Sequence, residues 1–497
     1  MPTPLTKRRL CLAAGTLAFL TLAVAVLARL TLTGLAASTL LHMAGASEVK
    51  FRVTQASPWR VVFEKVAFQV RTQPFEAGRV SFARPHWWTP SLGTVRVEQA
   101  WLPLTVDGSD TNPVNWATYK NGTASVSALK IPADDISIDG QLVVRAAALS
   151  DQALTVKLEA RLRPDTTWEG KASVEGPGLA AQASGRFDPA TKALDFAVPV
   201  VSVDLKVWQN FLQRFVFIPG GAVELGGTLT GSAQGRWAGK AFSAAAKVHV
   251  ADGRVVSPAH NVTADGVTVD LEFTDLDKFE TKPGTLRVAA LQVGRFALRD
   301  IDAEFAFADT NRIAVSRAAL KALGGSLAVE PFKYFLNLRE LDVVVLADNI
   351  SVEEVMALTK DLPAKASGRV DGRLPLRIDD GGLRLGTGWL ALKPGVSAQI
   401  QFSAAGLLTS GVPVKDPRYP VLKKIESGLL QLRVGELRLD IRPPDAPAGR
   451  TAQLHVVGEP VDPEVKAPVT LDLNVNGPLE KLLNMGMDSR VNFGGKP

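Results

Sequence analysis

The chain has 497 residues, 46% of them hydrophobic and 21% charged, with a formal net charge of +6 and a mean hydropathy of +0.10. Such a composition excludes a disordered chain. Because Lys and Arg alternate with Asp and Glu instead of gathering in one stripe, the pI near 9.3 does not mark a nucleic-acid surface.

The single cysteine, Cys11, leaves no intramolecular disulfide and no Cys-based metal site. Around it, Lys7, Arg8 and Arg9 precede an uncharged run from Leu10 to Ala28, and after Arg29 the stretch Leu30 to Met43 continues weakly apolar. At a 1.5 Å rise per residue this is enough to cross a hydrocarbon core of roughly 30 Å. The basic cluster places residues 1–9 in the cytoplasm, 10–36 as a transmembrane anchor, and the rest beyond the membrane: a single-pass protein of the inner membrane with its bulk in the periplasm. A cleavable signal peptide is the alternative, given the small residues after Gly34-Leu35-Ala36, but the apolar run exceeds the usual signal core.

From about residue 48 the dominant period is two. Val267, Val269, Leu271 and Phe273 alternate with Thr268, Asp270, Glu272 and Thr274, so one face of that strand is apolar and the other wet. The pattern recurs at Phe305 and Phe307, at Leu341, Val343 and Val345, at Leu437, Leu439 and Ile441, and at Leu471 and Leu473. Asp252-Gly253, Asp265-Gly266 and Asp379-Asp380-Gly381-Gly382 read as the turns of an antiparallel meander. The stretch 100–132 is the most irregular, which suggests a first β segment over 48–110, a middle region over 133–334 and a C-terminal β region over 335–497.

Helical signals are few. Ser351 and Glu354 form a capping box for a helix of about ten residues that ends at Leu362-Pro363. Val207 to Phe217 carries Trp208, Phe211, Leu212 and Phe215 at helical spacing, and Leu479 to Met485 is a third candidate. The fold class expected is therefore mainly β: an N-terminal transmembrane helix followed by an elongated, curved antiparallel sheet that forms a groove. Such a sheet must stack, close, or curve around something to dispose of its apolar face.

Residues Ser367-Gly368-Arg369-Val370-Asp371-Gly372-Arg373-Leu374-Pro375-Leu376-Arg377-Ile378-Asp379-Asp380-Gly381-Gly382-Leu383, with Gly388-Trp389-Leu390 and Pro394-Gly395-Val396 after them, resemble the C-terminal region of YdbH-like proteins. The capped helix before them and Asn476-Gly477-Pro478-Leu479-Glu480-Lys481-Leu482-Leu483 after them fit that region too, over roughly residues 335 to 485. These proteins belong to the AsmA-type group, alongside TamB and YhdP. The resemblance implies an inner-membrane-anchored periplasmic groove that moves phospholipid toward the outer membrane. It also implies a small outer-membrane lipoprotein as partner at the C-terminal end. Kinship with TamB leaves open a second role, as an assembly or translocation factor for outer-membrane or secreted proteins.

The apolar positions named above are the candidate lipid contacts; a dry sandwich core is the competing reading, since periodicity does not say what a buried face meets. His42, His86, His249, His260 and His455 are scattered without metal-ligand spacing. No GxSxG elbow, P-loop or dinucleotide fingerprint is present. Asp379 and Asp380 lack the spaced oxygens of a calcium loop. His86-Trp87-Trp88 is either an interfacial aromatic cluster or a cap on the first core. Neither catalysis nor a cofactor nor a metal is expected.

Overall fold

The computed structural model describes residues 28–43, 46–70, 73–84, 91–106, 133–146, 152–215, 223–239, 241–294, 296–338, 340–357, 364–379, 382–402, 409, 411–442, 450–463, 465 and 467–476. They form two units, Met1–Val216 with Thr230–Ala244, and Phe217–Leu229 with Ala245–Pro497. Most of the anchor segment, His86-Trp87-Trp88 and the stretch from Leu479 to Met485 lie outside the described residues.

In the first unit a helix, α1, occupies residues 28–43. The strands are β1 (Ala46–Ala56), β2 (Arg60–Val70), β3 (Gln73–Ala83), β4 (Thr94–Val106), β5 (Asp135–Ala146), β6 (Gln152–Leu162), β7 (Trp168–Gly176), β8 (Leu179–Asp188) and β9 (Ala193–Asp204). Consecutive strands pair antiparallel except at one step: β4 and β5 are parallel, with Val95 beside Ile136 and Leu102 beside Leu142. The expectation of a purely antiparallel sheet is corrected here. A parallel step needs a crossover of a dozen residues or more, and the irregular stretch between Val106 and Asp135 supplies it.

Phe63, Val66, Ala77, Val97 and Ala100 form the core of β1–β4, with Phe51, Phe63 and Phe82 meeting edge to face at 5.2 and 5.8 Å. Helix α1 rests on this core. Ala37 packs against it, and a Cβ on Gly34 would stand 3.4 Å from Val53. Its other side exposes Leu32, Leu35, Leu40 and Met43. No described helix is long and apolar enough to cross a membrane. A second helix, α2 (Leu205–Phe215), starts where Asp204 accepts the backbone N–H of Lys206 at 2.9 Å, two residues earlier than its apolar spacing suggested. It places Trp208 on Leu154, Leu179 and Val203, with the indole N–H donated to the Pro177 carbonyl at 2.9 Å.

β10 (Glu224–Ala238) and β11 (Ala241–Ser257) are divided between the units, Thr230–Ala244 belonging to the first. The second unit continues with β12 (Val262–Asp275), β13 (Glu280–Thr281), β14 (Gly284–Val293), β15 (Phe296–Asp309), β16 (Arg312–Ala322), β17 (Gly325–Val329), β18 (Phe332–Phe335) and β19 (Leu341–Ser351). Helix α3 (Val352–Ala357) follows, its Glu354 N–H donated to Ser351 Oγ at 3.4 Å as the capping box requires. Then come β20 (Ala364–Ser367), β21 (Arg369–Asp379), β22 (Gly382–Leu385), β23 (Gly388–Leu392) and β24 (Ala398–Phe402). The chain ends its described part with helix α4 (Tyr419–Leu430), β25 (Gln431–Ile441), β26 (Arg450–Pro460) and β27 (Val469–Asn476). Asp379 pairs with Gly382 where β21 meets β22, and the residues expected to make the turn, Asp380 and Gly381, lie outside the described residues.

Asp252-Gly253 and Asp265-Gly266, in contrast, are not turns. They sit inside β11 and β12, where Asp252 has φ 49° and Gly266 φ 65°, and the register slips between Val250 and Arg254. The same left-handed kink recurs at Asp300 in β15 and Asn349 in β19, and in the first unit at Lys65 in β2 and Gln99 in β4. Each is a bulge that bends its strand and shifts the alternation by one residue. The residues flanking these kinks are among the most buried: Val66 beside Lys65, Ala100 beside Gln99, and Ala347 and Ile350 on either side of Asn349. Among the described residues all the strands belong to one sheet, so no second sheet accounts for that burial.

A Cβ at Gly266 would meet the Ala289 Cβ at 2.7 Å in a backbone conformation already costly for an L residue. Gly266→Val is expected to destabilise the second unit by roughly 2–3 kcal/mol, read from its denaturant midpoint. Gly395→Val, in the same unit at φ 78° with nothing within 4 Å, is the control that meets only the backbone strain.

Candidate functional site

The register joins the apolar positions across strands. Val269 on β12 lies opposite Val250 on β11 and Leu286 on β14. From Leu286 the row continues through Ala303, Ala318, Val329, Val345 and Leu374 on β15, β16, β17, β19 and β21. Val343 faces Leu376, Leu341 faces Ile378, and Phe307 faces Ile313. On the C-terminal strands Leu390, Leu439, Leu454 and Leu473 form one row, while Leu437 and Leu471 flank Val456 and Ile441 faces Ala452. Directly opposed residues of an antiparallel ladder share a face. The structure thus brings all fourteen candidate residues onto one side of the second unit's sheet.

Their exposure is informative. Eleven of the fourteen are half-buried; Phe273 and Ile441 are buried at 7% and 5%, and Leu473 is exposed at 45%. A dry core between two sheets would bury them nearly all. Phe273, Phe279, Phe305 and Phe307 close one stretch of the face as an aromatic cluster with ring centroids 5.0–5.8 Å apart.

The face is not uniform along the sheet. Ile400, Leu432, Val434 and Val456 form a fully covered cluster, with Leu432 and Val434 at 0% exposure, so the section at β24–β26 is packed shut. Helix α3 lays Val352 and Val355 against the buried cluster of Ala347, Ile350 and Val370, covering a second patch. Neither cover was legible in the alternation alone.

The opposite side is a lattice of cross-strand charges. Arg287 and Arg317 both reach Asp302, Lys321 donates to Asp300 at 2.7 Å, Arg373 pairs with Glu330, and Lys393 donates to Asp348 at 3.2 Å. His249 meets Asp270 at 2.6 Å and His455 meets Asp472 at 2.7 Å in the same manner. The hydrogen bond from Lys321 holds the Asp300 carboxyl below its ordinary range, and that from Lys282 does the same for Glu272. Exposed pairs of this kind stabilise by about 0–1 kcal/mol each, and their main effect is to keep this side in water.

Among the described residues, no three His, Cys, Asp or Glu side chains gather where a metal ion would be held. The first unit repeats the one-sided pattern, Val61, Phe82, Val95, Ile136 and Ala160 standing in one row. Sequence reading did not single out that row, although the alternation in β2 and β4 carries it.

A sheet with one apolar, half-covered side and one charged side offers the apolar surface that a lipid carrier needs. The comparison with family models agrees: the chain belongs to the YdbH-like family, described as intermembrane phospholipid transport protein YdbH, whose model matches residues 15–401. Lipid transport, and lipid cargo, follow from that membership. The match takes in the first half of the chain as well as the strands on which the resemblance was first noted, and it stops before the segment from Asn476 to Leu483. Neither the individually curated proteins nor the solved structures yield a match to this chain.

Proposed function

We propose that the chain is anchored in the inner membrane by the apolar run from Leu10, stands in the periplasm, and guides phospholipid acyl chains along its apolar sheet faces toward the outer membrane. The observation that carries this reading is the apolar side of the second unit's sheet, where one row from Val250 to Leu374 and a second from Leu390 to Leu473 carry mostly half-buried aliphatic side chains, backed by a charged opposite side. An acyl chain exposed to water costs about 0.8 kcal/mol per CH₂, over 10 kcal/mol for a common tail, and a row of apolar side chains removes most of that barrier. The kinked strands turn this row into a trough that accepts the tails while the headgroup stays wet. A small outer-membrane lipoprotein docks at β27, whose described register is with β26, by adding a strand.

The test places photo-crosslinking residues at Val269, Phe305, Val343 and Leu439 in the full chain, with Thr268 and Lys321 as positions on the charged side. Mass spectrometry of the adducts should find phospholipid at all four apolar positions and at neither control. Equal yield on both sides, or none at the apolar positions of folded protein, overturns the reading.

A further inference from the structure

Helix α1 turns two different sides to its surroundings. Leu32, Leu35, Leu40 and Met43 are exposed at 66, 71, 66 and 79%, and at 3.6 residues per turn they fall, with the exposed Ala36 and Thr39, within one half of the helix circumference. The other half is seated. Leu30, Gly34, Ala37 and Leu41 recur at helical spacing and are half-buried, Ala37 against the β1–β4 core, with a Cβ on Gly34 standing 3.4 Å from Val53 and 3.7 Å from Phe51.

The outer side is poor in polar groups as well as rich in apolar ones. No Asp, Glu, Lys or Arg occurs from Leu30 to Met43. Three hydroxyls are given to the helix's own carbonyls: Thr31 Oγ donates to Ala28 at 2.9 Å, Thr33 to Arg29 at 2.7 Å and Thr39 to Leu35 at 2.8 Å. The His42 ring is bonded locally too, Nδ1 to the Ala46 carbonyl at 2.9 Å. Hydroxyls folded back on the helix satisfy their donors without water, as an apolar solvent demands. The surface is also convex. A single acyl chain is held in a concave site, whereas four large side chains standing out from a cylinder fit a bilayer.

The uncharged run from Leu10 to Ala28 is by itself long enough for a hydrocarbon core of roughly 30 Å, so Arg29 falls at headgroup level and α1 begins at the membrane surface. Continued straight outward, the helix would carry Met43 roughly 20 Å into water with its apolar side bare. Laid flat, it keeps that whole side in lipid. We propose that α1 lies in the plane of the membrane surface, its outer side sunk in the acyl boundary of the chain's own bilayer, and so seats β1–β4 directly on the membrane. With Arg29 as the only formal charge of α1, the seating is apolar and indifferent to anionic lipid and to salt. This deepens the transport reading and rests on the anchor in it.

The experiment uses the full chain in phosphatidylcholine nanodiscs, with Cys11→Ser and a nitroxide label on Leu35→Cys, Leu40→Cys or Met43→Cys in turn. Lys321→Cys, on the charged lattice, is the control. Collision with oxygen should exceed collision with a water-soluble nickel chelate by about five-fold or more at 35, 40 and 43, and fall below it at 321. Depth read from that ratio should be equal at 35 and 43, which lie about 12 Å apart along the helix, whereas a helix standing on end would separate them by that distance. Adding phosphatidylglycerol, or salt to about 0.5 M, should change neither result. Chelate access at 35, 40 and 43 equal to that at 321, unequal depth at 35 and 43, or dipolar broadening between labels on two chains overturns the proposal, the last in favour of contact between copies. A chain that fails to enter nanodiscs loses the anchor and the proposal with it, while a folded, anchored chain with wet labels loses only the seating of α1, so the two failures are distinguishable.

Discussion

Val343→Asp and Leu439→Asp are expected to leave the protein folded and to abolish lipid passage. Both side chains are half-buried on the apolar row, opposite Leu376 and Leu454. A carboxylate there keeps part of its hydration, so the loss of stability stays near 1 kcal/mol, within the ordinary range for a partly exposed site. An acyl chain sliding over the same carboxylate must strip that hydration, a penalty of about 3 kcal/mol or more, which is roughly a hundred-fold in passage. Co-purifying phospholipid and crosslinks at the neighbouring positions should both fall, while the circular dichroism spectrum and melting temperature stay close to those of the parent. Thr268→Asp, on the charged side, should change neither. Cooperative unfolding of Val343→Asp would mean that the row is an ordinary core.

Leu432→Asp behaves in the opposite way. Leu432 and Val434 are wholly covered, and their neighbours Val456 and Ala398 are at 1% and 2% exposure. A carboxylate at Leu432 has no solvent and no described cationic neighbour in its cluster, so the expected cost is several kcal/mol. Even Leu432→Ala should cost about 2–5 kcal/mol through the cavity it leaves. Limited proteolysis should then cut within β24–β26 first, and a crosslinker at Leu432 should capture no lipid from the parent fold. Folded, protease-resistant Leu432→Asp would show that this section opens in solution and belongs to the conduit.

The contrast between these two sites shows what the sequence could and could not carry. Alternation at Val343 and at Leu432 looks the same, because a period of two reports which face a side chain takes and not what covers it. The cover at Leu432 comes from packing among β24, β25 and β26 together with Leu392 and Val469, which alternation within one strand does not report. Asp252-Gly253 and Asp265-Gly266 read as turns because a left-handed residue serves a hairpin and a bulge equally well; only the cross-strand register distinguishes them. The bulges also explain why Val262 and Ala264 share the apolar face with Val267 and Val269 although Ala264 and Val267 are an odd number of residues apart. Helix α4 was missed since Pro417, Pro420 and Gly428 punctuate it, yet Pro420 lies in the first turn, where its missing N–H is harmless. The parallel step at β5 had no signal beyond the length of the connection before it.

The kink repeated from strand to strand has an evolutionary corollary. Since β2, β4, β11, β12, β15 and β19 each bend at a left-handed residue of their own, the bend is a local property of those strands and does not depend on how many strands stand beside them. One more hairpin with the same kink would add roughly 10 Å along the stacking direction and leave the calibre of the trough untouched. Reach and bore are separately adjustable, so hairpin duplication can lengthen such a gutter without re-engineering what flows through it.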